Sequence, residues 1–161
     1  MSLEKNIWKW LEKVPDPEIP VLSILDLGVV RSVNVNNEEI LIEITSTYSG
    51  CPATDVFIAD IKSELEKHNL TNVKVQMKYS PAWTTDWITD KGRVKLKEFG
   101  IAPPVNEPDK SILFAKSFVV PCPKCDSDET HLVSQFGSTA CKALYQCDSC
   151  QEPYDYFKCL R

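Results

Sequence analysis

Histidine is scarce in this 161-residue sequence, which contains only His68 and His131. Neither has a partner at metal-ligand spacing, and two isolated histidines cannot supply the inward-facing carboxylate and histidine motifs of a di-iron helix bundle. Also absent are a phosphate-binding loop, a dinucleotide fingerprint, a serine nucleophile elbow and a zincin helix. These absences argue against an enzyme that is catalytic by itself.

Positive charge and long apolar runs are lacking as well. The chain has 18 Lys and Arg against 23 Asp and Glu, and neither its first 110 residues nor the remainder is basic. It therefore lacks the charge needed to neutralise nucleic-acid phosphates. No stretch approaches the roughly 18 apolar residues of a membrane-spanning helix, and charges interrupt the N-terminal segment where a secretory signal needs an apolar core. We expect a cytoplasmic protein that binds neither nucleic acid nor membranes.

Cysteine, by contrast, is abundant, with seven residues. Cys122 and Cys125 form one C-x-x-C pair, and Cys147 and Cys150 form a second pair after a hairpin-length interval. Two such pairs can bring four thiolates to one tetrahedral metal ion. Because four thiolates leave no open coordination position, the metal is expected to be structural. Zinc is the default, and iron in a rubredoxin-like site, which has the same ligands, stays an alternative.

Two further cysteines near the C-terminus, Cys141 and Cys159, have no assigned partner. Either could replace one of the four ligands, remain a separate thiol or pack in the small core of the module. Core packing is favoured because free cysteine is usually buried.

The first hundred residues alternate helical and strand patterns. A helix capped by Ser2 is followed by a strand, Val29–Val35, and by an antiparallel partner that buries Ile40, Ile42 and Ile44. A helix from Pro52 to about His68 and a third strand, Val73–Tyr79, come next. The odd-numbered residues of that strand, Tyr79 included, are expected to face inward. A strand–helix–strand connection favours parallel pairing, so we predict a small mixed three-stranded sheet with helices.

The remainder predicts a second, smaller module. Short helices are expected between Pro81 and Ile101, and a proline-rich segment then serves as a linker. The fold class is therefore α+β, with a small β zinc-ribbon-like module after the mixed sheet. We place the first domain at 1–102, the linker at 103–116 and the four-cysteine ribbon at 117–161. The expected ribbon strands are Ser117–Val120, Thr130–Phe136, Lys142–Gln146 and Tyr154–Lys158.

Cys51 is the candidate functional residue of the first domain. Pro52 suits the first position of a helix, which puts Cys51 at or next to the N-cap. Unpaired main-chain amides and the positive end of the helix dipole favour a thiolate there, and a thiolate can bind metal or form a transient link. The alternative is a small capping residue without reactivity, and the sequence does not decide between the two.

Three carboxylates lie in a proline-constrained loop near the N-terminus. Asp16, Glu18 and Asp26 could serve acid–base chemistry or bind a cation. Acidic residues in a loop before a strand are more often turn and cap residues, so the loop alone is weak evidence for a site.

Several of these segments together resemble known families. Over about residues 3–102 the chain resembles iron–sulfur assembly factors of the SufT type. The segments that carry this resemblance are Asp16–Pro20, Ser23–Val30, Thr45–Pro52, Pro81–Trp83 and Gly100–Ile101. With the C-terminal run Phe136–Cys159 added, nearly the whole chain resembles the PaaD family of phenylacetate-degradation proteins, the D subunits of phenylacetyl-CoA epoxidase. One departure is Tyr154, where the family pattern suggests phenylalanine.

The resemblance implies an accessory protein of aerobic phenylacetate degradation that assembles or maintains iron–sulfur or iron centres. Its partners would be the oxygenase and reductase subunits of the epoxidase complex. Cys51 would be the functional thiol, with Asp16, Glu18 and Asp26 as its acidic loop, and the ribbon cysteines would hold zinc. A transient iron–sulfur cluster is a second expected cofactor, and a cluster bridging two copies would require a homodimer. Two alternatives stay open: an integral subunit of the ring-epoxidising monooxygenase complex, and a rubredoxin-like electron carrier.

Overall fold

Alternating isoleucines in strand β2 build the core of the first sheet. In the computed structural model, which describes residues 2–37, 39–48, 50–105 and 119–158, β2 (Glu39–Ile44) lies between β1 (Val30–Asn36) and β3 (Val73–Met77). It pairs antiparallel with β1 and parallel with β3. Every second side chain of β2 faces the core because a strand has a period of two. Ile40, Ile42 and Ile44 are at most 3 % exposed, and the predicted mixed three-stranded sheet is confirmed.

Two helices cover this sheet. Helix α1 (Leu3–Leu11) starts at Ser2, whose hydroxyl accepts a hydrogen bond from the Lys5 amide, and it packs against β1 and α2. Helix α2 (Ala53–Glu66) begins one residue later than predicted, because Pro52 is the N-cap and not the first helical residue. It also ends two residues before His68.

The prediction that Tyr79 faces inward is wrong. Strand β3 ends at Met77, and Tyr79 is 79 % exposed. The Lys78 amide still donates to the Ile44 carbonyl, but no residue beyond it continues the ladder. The alternation that sets the side-chain direction therefore stops before Tyr79.

A four-stranded sheet forms the second unit. Its strand order is β4-β7-β6-β5, with β4 parallel to β7 and the other neighbours antiparallel. Val120 and three tyrosines pack in its core beside the buried cysteines Cys122 and Cys147. The strands are β4 (Ile101–Ala102), β5 (Thr130–Ser134), β6 (Lys142–Cys147) and β7 (Pro153–Phe157).

The second unit begins earlier in the chain than the sequence suggests. Helix α3 (Asp90–Glu98) packs against β4, and β4 adds a strand to the ribbon sheet. The units are Met1–Trp83 with Trp87–Thr89, and Thr84–Asp86 with Asp90–Arg161. The sequence instead places residues 90–102 in the first domain, because a two-residue strand leaves no periodic pattern. Gly100, with φ of +90°, follows α3 as expected of a terminating glycine.

The predicted strand Ser117–Val120 is only partly covered by the structure. Ser117 and Phe118 lie outside the described residues, and Val119 and Val120 are not in a strand. Among the described residues, no helix has the length and apolar character needed to cross a bilayer.

Candidate metal centre and candidate thiol

Four cysteine sulfurs meet at one end of the second sheet. The Sγ atoms of Cys122, Cys125, Cys147 and Cys150 all lie within 4.8 Å of one another. The Sγ separation is 3.8 Å for Cys122 and Cys150, and 3.6 Å for Cys125 and Cys147. A tetrahedral site with metal–sulfur bonds of about 2.3 Å has sulfur separations of about 3.8 Å. The four residues therefore fit one closed tetrahedral metal site.

Main-chain amides of the two turns donate to these sulfurs. Amides of Cys150 and Ser149 donate to the Cys147 sulfur, and they lower the pKa of that thiol to about 7 against the opposing effect of burial. The Ser127 amide acts in the same direction on Cys125, but burial and the neighbouring thiols outweigh it and raise its pKa to about 12. Unequal thiol pKa values are expected when four acids share one small volume. A divalent cation would stabilise all four as thiolates.

The metal site has a buried half and an exposed half. Cys122 and Cys147 are fully buried, whereas Cys125 is exposed and Cys150 is half-buried. Ligand exchange with solvent molecules is therefore open only from the side of Cys125 and Cys150.

Tyr154 supports the buried half of the site. Its hydroxyl donates to the Val120 carbonyl at 2.8 Å, and burial raises its pKa to about 12. The Thr130 hydroxyl donates to the same carbonyl at 2.8 Å. A phenylalanine at position 154 could not make this bond, so the sequence departure has a structural role that the sequence did not reveal.

Cys141 lies outside the four-sulfur group. It is 5 % exposed, and its Sγ lies 3.0 Å from the Thr139 hydroxyl oxygen. The expected core packing of Cys141 agrees with this burial. Cys159 falls outside the described residues.

Cys51 lies in the turn that leads into α2. Its amide donates to the Tyr48 carbonyl at 3.3 Å, and its own carbonyl accepts from the Thr54 amide. The side chain is 8 % exposed, and Pro52 provides no side-chain cap for the helix. This geometry agrees with the predicted position next to the N-cap, and the thiol is largely shielded from solvent.

A shallow cleft of about 120 Å³ adjoins this turn. It lies beyond the carboxyl ends of the parallel strands β2 and β3, the edge of a parallel sheet where ligands commonly bind. Its walls carry hydroxyl groups and aromatic rings but no charged side chain. The lining residues are Thr45, Ser46, Thr47, Tyr48, Tyr79, Ala82 and Trp83.

The acidic loop is built around main-chain hydrogen bonds. Asp16 Oδ1 accepts from the amides of Glu18 and Ile19 at 2.8 and 2.6 Å. Asp26 Oδ2 accepts from the Ser23 amide, and the Ser23 hydroxyl accepts from the Asp26 amide. Both aspartates are buried, so these bonds offset the cost of burying their charge. These bonds give both aspartates a role in stabilising turns, while Glu18 is only half-buried.

The histidines make local contacts. The ring of His68 stacks on Trp10 with the centroids 3.8 Å apart, and His131 Nδ1 lies 2.9 Å from an Asp148 carboxylate oxygen. Within the described ranges, the four-cysteine cluster is the sole group of three or more Cys, His, Asp or Glu side chains placed to share a metal ion. The structure does not bring Cys51 and the acidic loop together as ligands of one ion.

Both units match known protein families. Residues 4–77 match the family described as iron–sulfur cluster assembly protein, and residues 106–158 match the PaaD zinc beta ribbon domain. Residues 78–105, which include α3 and β4, lie outside both matches.

Two relatives match different extents of the chain. It is 51% identical over 155 residues to a protein of Escherichia coli (strain K12) named as the D subunit of a "Putative 1,2-phenylacetyl-CoA epoxidase", covering 96% of this chain and 92% of the relative. It is 31% identical over 98 residues to the "Fe-S protein maturation auxiliary factor" of Porphyromonas gingivalis, covering 60% of this chain and 92% of that protein.

Solved structures resemble the first part of the chain. The crystal structure of a domain of unknown function, DUF59, from Bacillus anthracis aligns with a TM-score of 0.54 and 27% identity, covering 58% of this chain and 90% of that one. A conserved hypothetical protein from Thermotoga maritima aligns with a TM-score of 0.50 and 23% identity, covering 59% of this chain and 94% of that one. The second likeness concerns the fold alone.

Proposed function

The chain belongs to the PaaD family, the D subunits of phenylacetyl-CoA epoxidase, and we propose that it is an accessory protein that assembles or maintains the metal centres of that complex. The clients would be the iron–sulfur or iron centres of the oxygenase and reductase subunits. The chain would work in the cytoplasm together with these partners.

One observation supports this function most: the chain combines two units with different chemistry. One unit has an iron–sulfur assembly domain with a shielded cysteine at a helix start. The other has a closed four-sulfur site. An assembly domain joined to a ribbon suits a protein that handles the metal of others and uses its own metal for folding.

The ribbon would hold zinc through Cys122, Cys125, Cys147 and Cys150. Four thiolates complete a tetrahedral shell, so a metal held there would have no free position for substrate. Zinc would supply folding free energy to a small sheet whose core is limited. The surface of this sheet is then available as a platform for partner proteins.

Cys51 would act as the transient thiol of the first unit. Its turn borders the uncharged cleft, where a segment of a client could lie beside the cysteine. Asp16 and Asp26 already accept hydrogen bonds from main-chain amides. We therefore propose that the acidic loop stabilises the structure of this unit and does not transfer protons.

The available ligand sets favour action on partner centres. In the part of the chain that the structure describes, the four cysteines are the one metal-ligand group, and its shell is closed. Activation of oxygen at iron requires open coordination positions. We therefore assign the epoxidation chemistry to the other subunits.

A second candidate function is an integral subunit of the epoxidase, which the name of the E. coli relative favours. The two functions differ in timing. An assembly factor is dispensable once its clients carry their full metal complement, whereas a subunit must be present during turnover. A homodimer would be required only if a cluster bridges two copies.

The deciding experiment uses oxygenase and reductase purified from cells with and without this chain. Iron and sulfide content are measured first, and epoxidation of phenylacetyl-CoA is then assayed with and without added chain. We expect metal-poor partners from the deficient cells and full activity of metal-replete partners without the chain. Fully metallated partners that stay inactive until the chain is added would favour the integral-component function.

A further inference from the structure

Three surface residues form a closed ring of hydrogen bonds across the two cysteine turns. The Glu129 amide donates to Ser127 Oγ at 3.1 Å, and Ser149 Oγ donates to Glu129 Oε2 at 2.9 Å. The two serine oxygens are 2.7 Å apart. Because the Ser149 proton is committed to the carboxylate, Ser127 must donate to Ser149. One arrangement of protons therefore satisfies every bond of the ring.

The ring is connected directly to the sulfur ligands. The Ser127 amide donates to the Cys125 sulfur, and the Ser149 amide donates to the Cys147 sulfur. The Glu129 carbonyl also accepts from the Asp148 amide at 2.8 Å. Each serine thus holds one ligand turn through its main chain and the opposite turn through its side chain.

The ring lies next to the exposed half of the metal site. Ser127 follows Cys125 by two residues, and Ser149 directly precedes Cys150. These are the two ligands that solvent can reach, whereas Cys122 and Cys147 are fully buried. A competing ligand therefore approaches the sulfurs from the side on which the ring joins the two turns.

We propose that Ser127, Ser149 and Glu129 form a clasp that controls how fast the metal leaves the four-cysteine site. The clasp belongs to the ribbon alone and would act whatever the client is and whatever Cys51 does. The three are positioning residues, because they orient the amides and turns that hold the sulfurs. Hydrogen bonds around metal ligands commonly change metal affinity by about 10- to 100-fold. Because the clasp is at the surface, we expect the lower end of that range.

The test measures zinc transfer from the full-length, zinc-loaded chain to a chromogenic chelator. Ser149→Ala and Ser127→Ala should each accelerate transfer by about tenfold. The double variant should accelerate transfer by less than the product of the two single effects, because both substitutions remove the shared Ser127–Ser149 bond. Ser149→Thr retains the hydroxyl and should restore slow transfer.

A matched control is Ser138→Ala. Ser138 is also a ribbon serine at the surface, and its hydroxyl donates to an Asp155 carboxylate oxygen at 2.8 Å, away from the cysteine turns. This variant should transfer zinc at the wild-type rate. Thermal unfolding of all variants identifies any general loss of stability, and if Ser149→Ala fails to fold, Ser127→Ala tests the same bond. Wild-type rates in both alanine variants, or independent effects that multiply in the double variant, would overturn the proposal.

Discussion

The indole Nε1 of Trp83 donates a hydrogen bond to the main-chain carbonyl of Leu27 at 2.8 Å. The bond joins two segments separated by 56 positions, and both belong to the motifs that resemble iron–sulfur assembly factors. The tryptophan side chain is 5 % exposed and forms part of the cleft near Cys51. The bond therefore holds one wall of the candidate client site.

Trp83→Phe should lower the free energy of unfolding by about 1–3 kcal/mol, because it leaves the buried Leu27 carbonyl without its donor. Urea denaturation followed by circular dichroism measures the change. Tyr79→Phe, which removes only a hydroxyl from an exposed ring, is the control, and its free energy of unfolding should stay near that of the wild type. Equal stability of Trp83→Phe and wild type would show that water replaces the indole.

Gly28→Ala should destabilise the first unit far more than Gly50→Ala. Both glycines have positive φ, of +67° and +74°, so both substitutions carry the strain of a left-handed conformation, about 1–2 kcal/mol. A Cβ on Gly28 would lie 2.5 Å from the Trp87 carbonyl oxygen, whereas one on Gly50 meets nothing within 4 Å. We expect a difference of at least about 2 kcal/mol in the unfolding free energies. Similar losses would show that the Trp87 segment moves aside.

Cys147→Ala should abolish metal binding by the ribbon. The substitution removes a fully buried ligand, and the folding free energy that zinc supplies is on the order of ten kcal/mol. Metal analysis should find about one zinc per chain in the wild type and none in the variant, and hydrogen exchange should locate the unfolding in the second unit. Cys141→Ala should keep its zinc, because that sulfur lies outside the cluster. Full zinc retention by Cys147→Ala would point to a different ligand set, and a reducible iron in place of zinc would support the electron-carrier alternative.

Zinc affinity should fall with decreasing pH, and more steeply below about pH 7. Hydrogen bonds from main-chain amides lower the pKa of Cys147 to about 7. Above that pH this residue is therefore already a thiolate in the metal-free fold. Cys125, whose pKa is raised to about 12, releases its proton only on metal binding. Below pH 7 Cys147 must also release a proton, which adds about one proton to the exchange. Chelator competition across pH measures this slope, and a constant slope would contradict the prediction.

Cys51→Ser should abolish client maturation while the fold is retained. Serine has nearly the same volume as cysteine, and Pro52 is the N-cap of α2, so a purely structural role of Cys51 in the preceding turn would survive the change. In cells that carry the variant we expect metal-poor epoxidase partners and no growth on phenylacetate. Cys141→Ser, the change of another buried cysteine, should support normal growth. Normal growth with Cys51→Ser would show that Cys51 has only a structural role.

Local patterns in the sequence predict much of this fold but little of its detail. The isoleucine alternation of β2 and the paired C-x-x-C turns depend on near neighbours, and both are found where expected. Strand β4 is two residues long, and its partner β7 lies more than fifty residues away, so no local pattern indicates it. The inward assignment of Tyr79 was wrong because the alternation does not show where pairing ends.

In the candidate site, too, features set by near neighbours were predictable and features set by distant residues were not. The position of Cys51 beside the N-cap was predictable from the following proline, while the adjacent cleft depends on residues 79–83 and was not. The bond between Ser127 and Ser149 joins positions that serine often occupies in turns, and only the approach of the two turns in space reveals it.

The pairing of β4 with β7 also limits how the ribbon can be transplanted. A fragment that starts at residue 106, where the ribbon family match begins, would leave the outer edge of β7 without its hydrogen-bond partner. Exposed strand edges invite association with other chains. A ribbon cassette for fusion to another protein should therefore include α3 and β4, and the transferable module in this chain is longer than its cysteine motifs indicate.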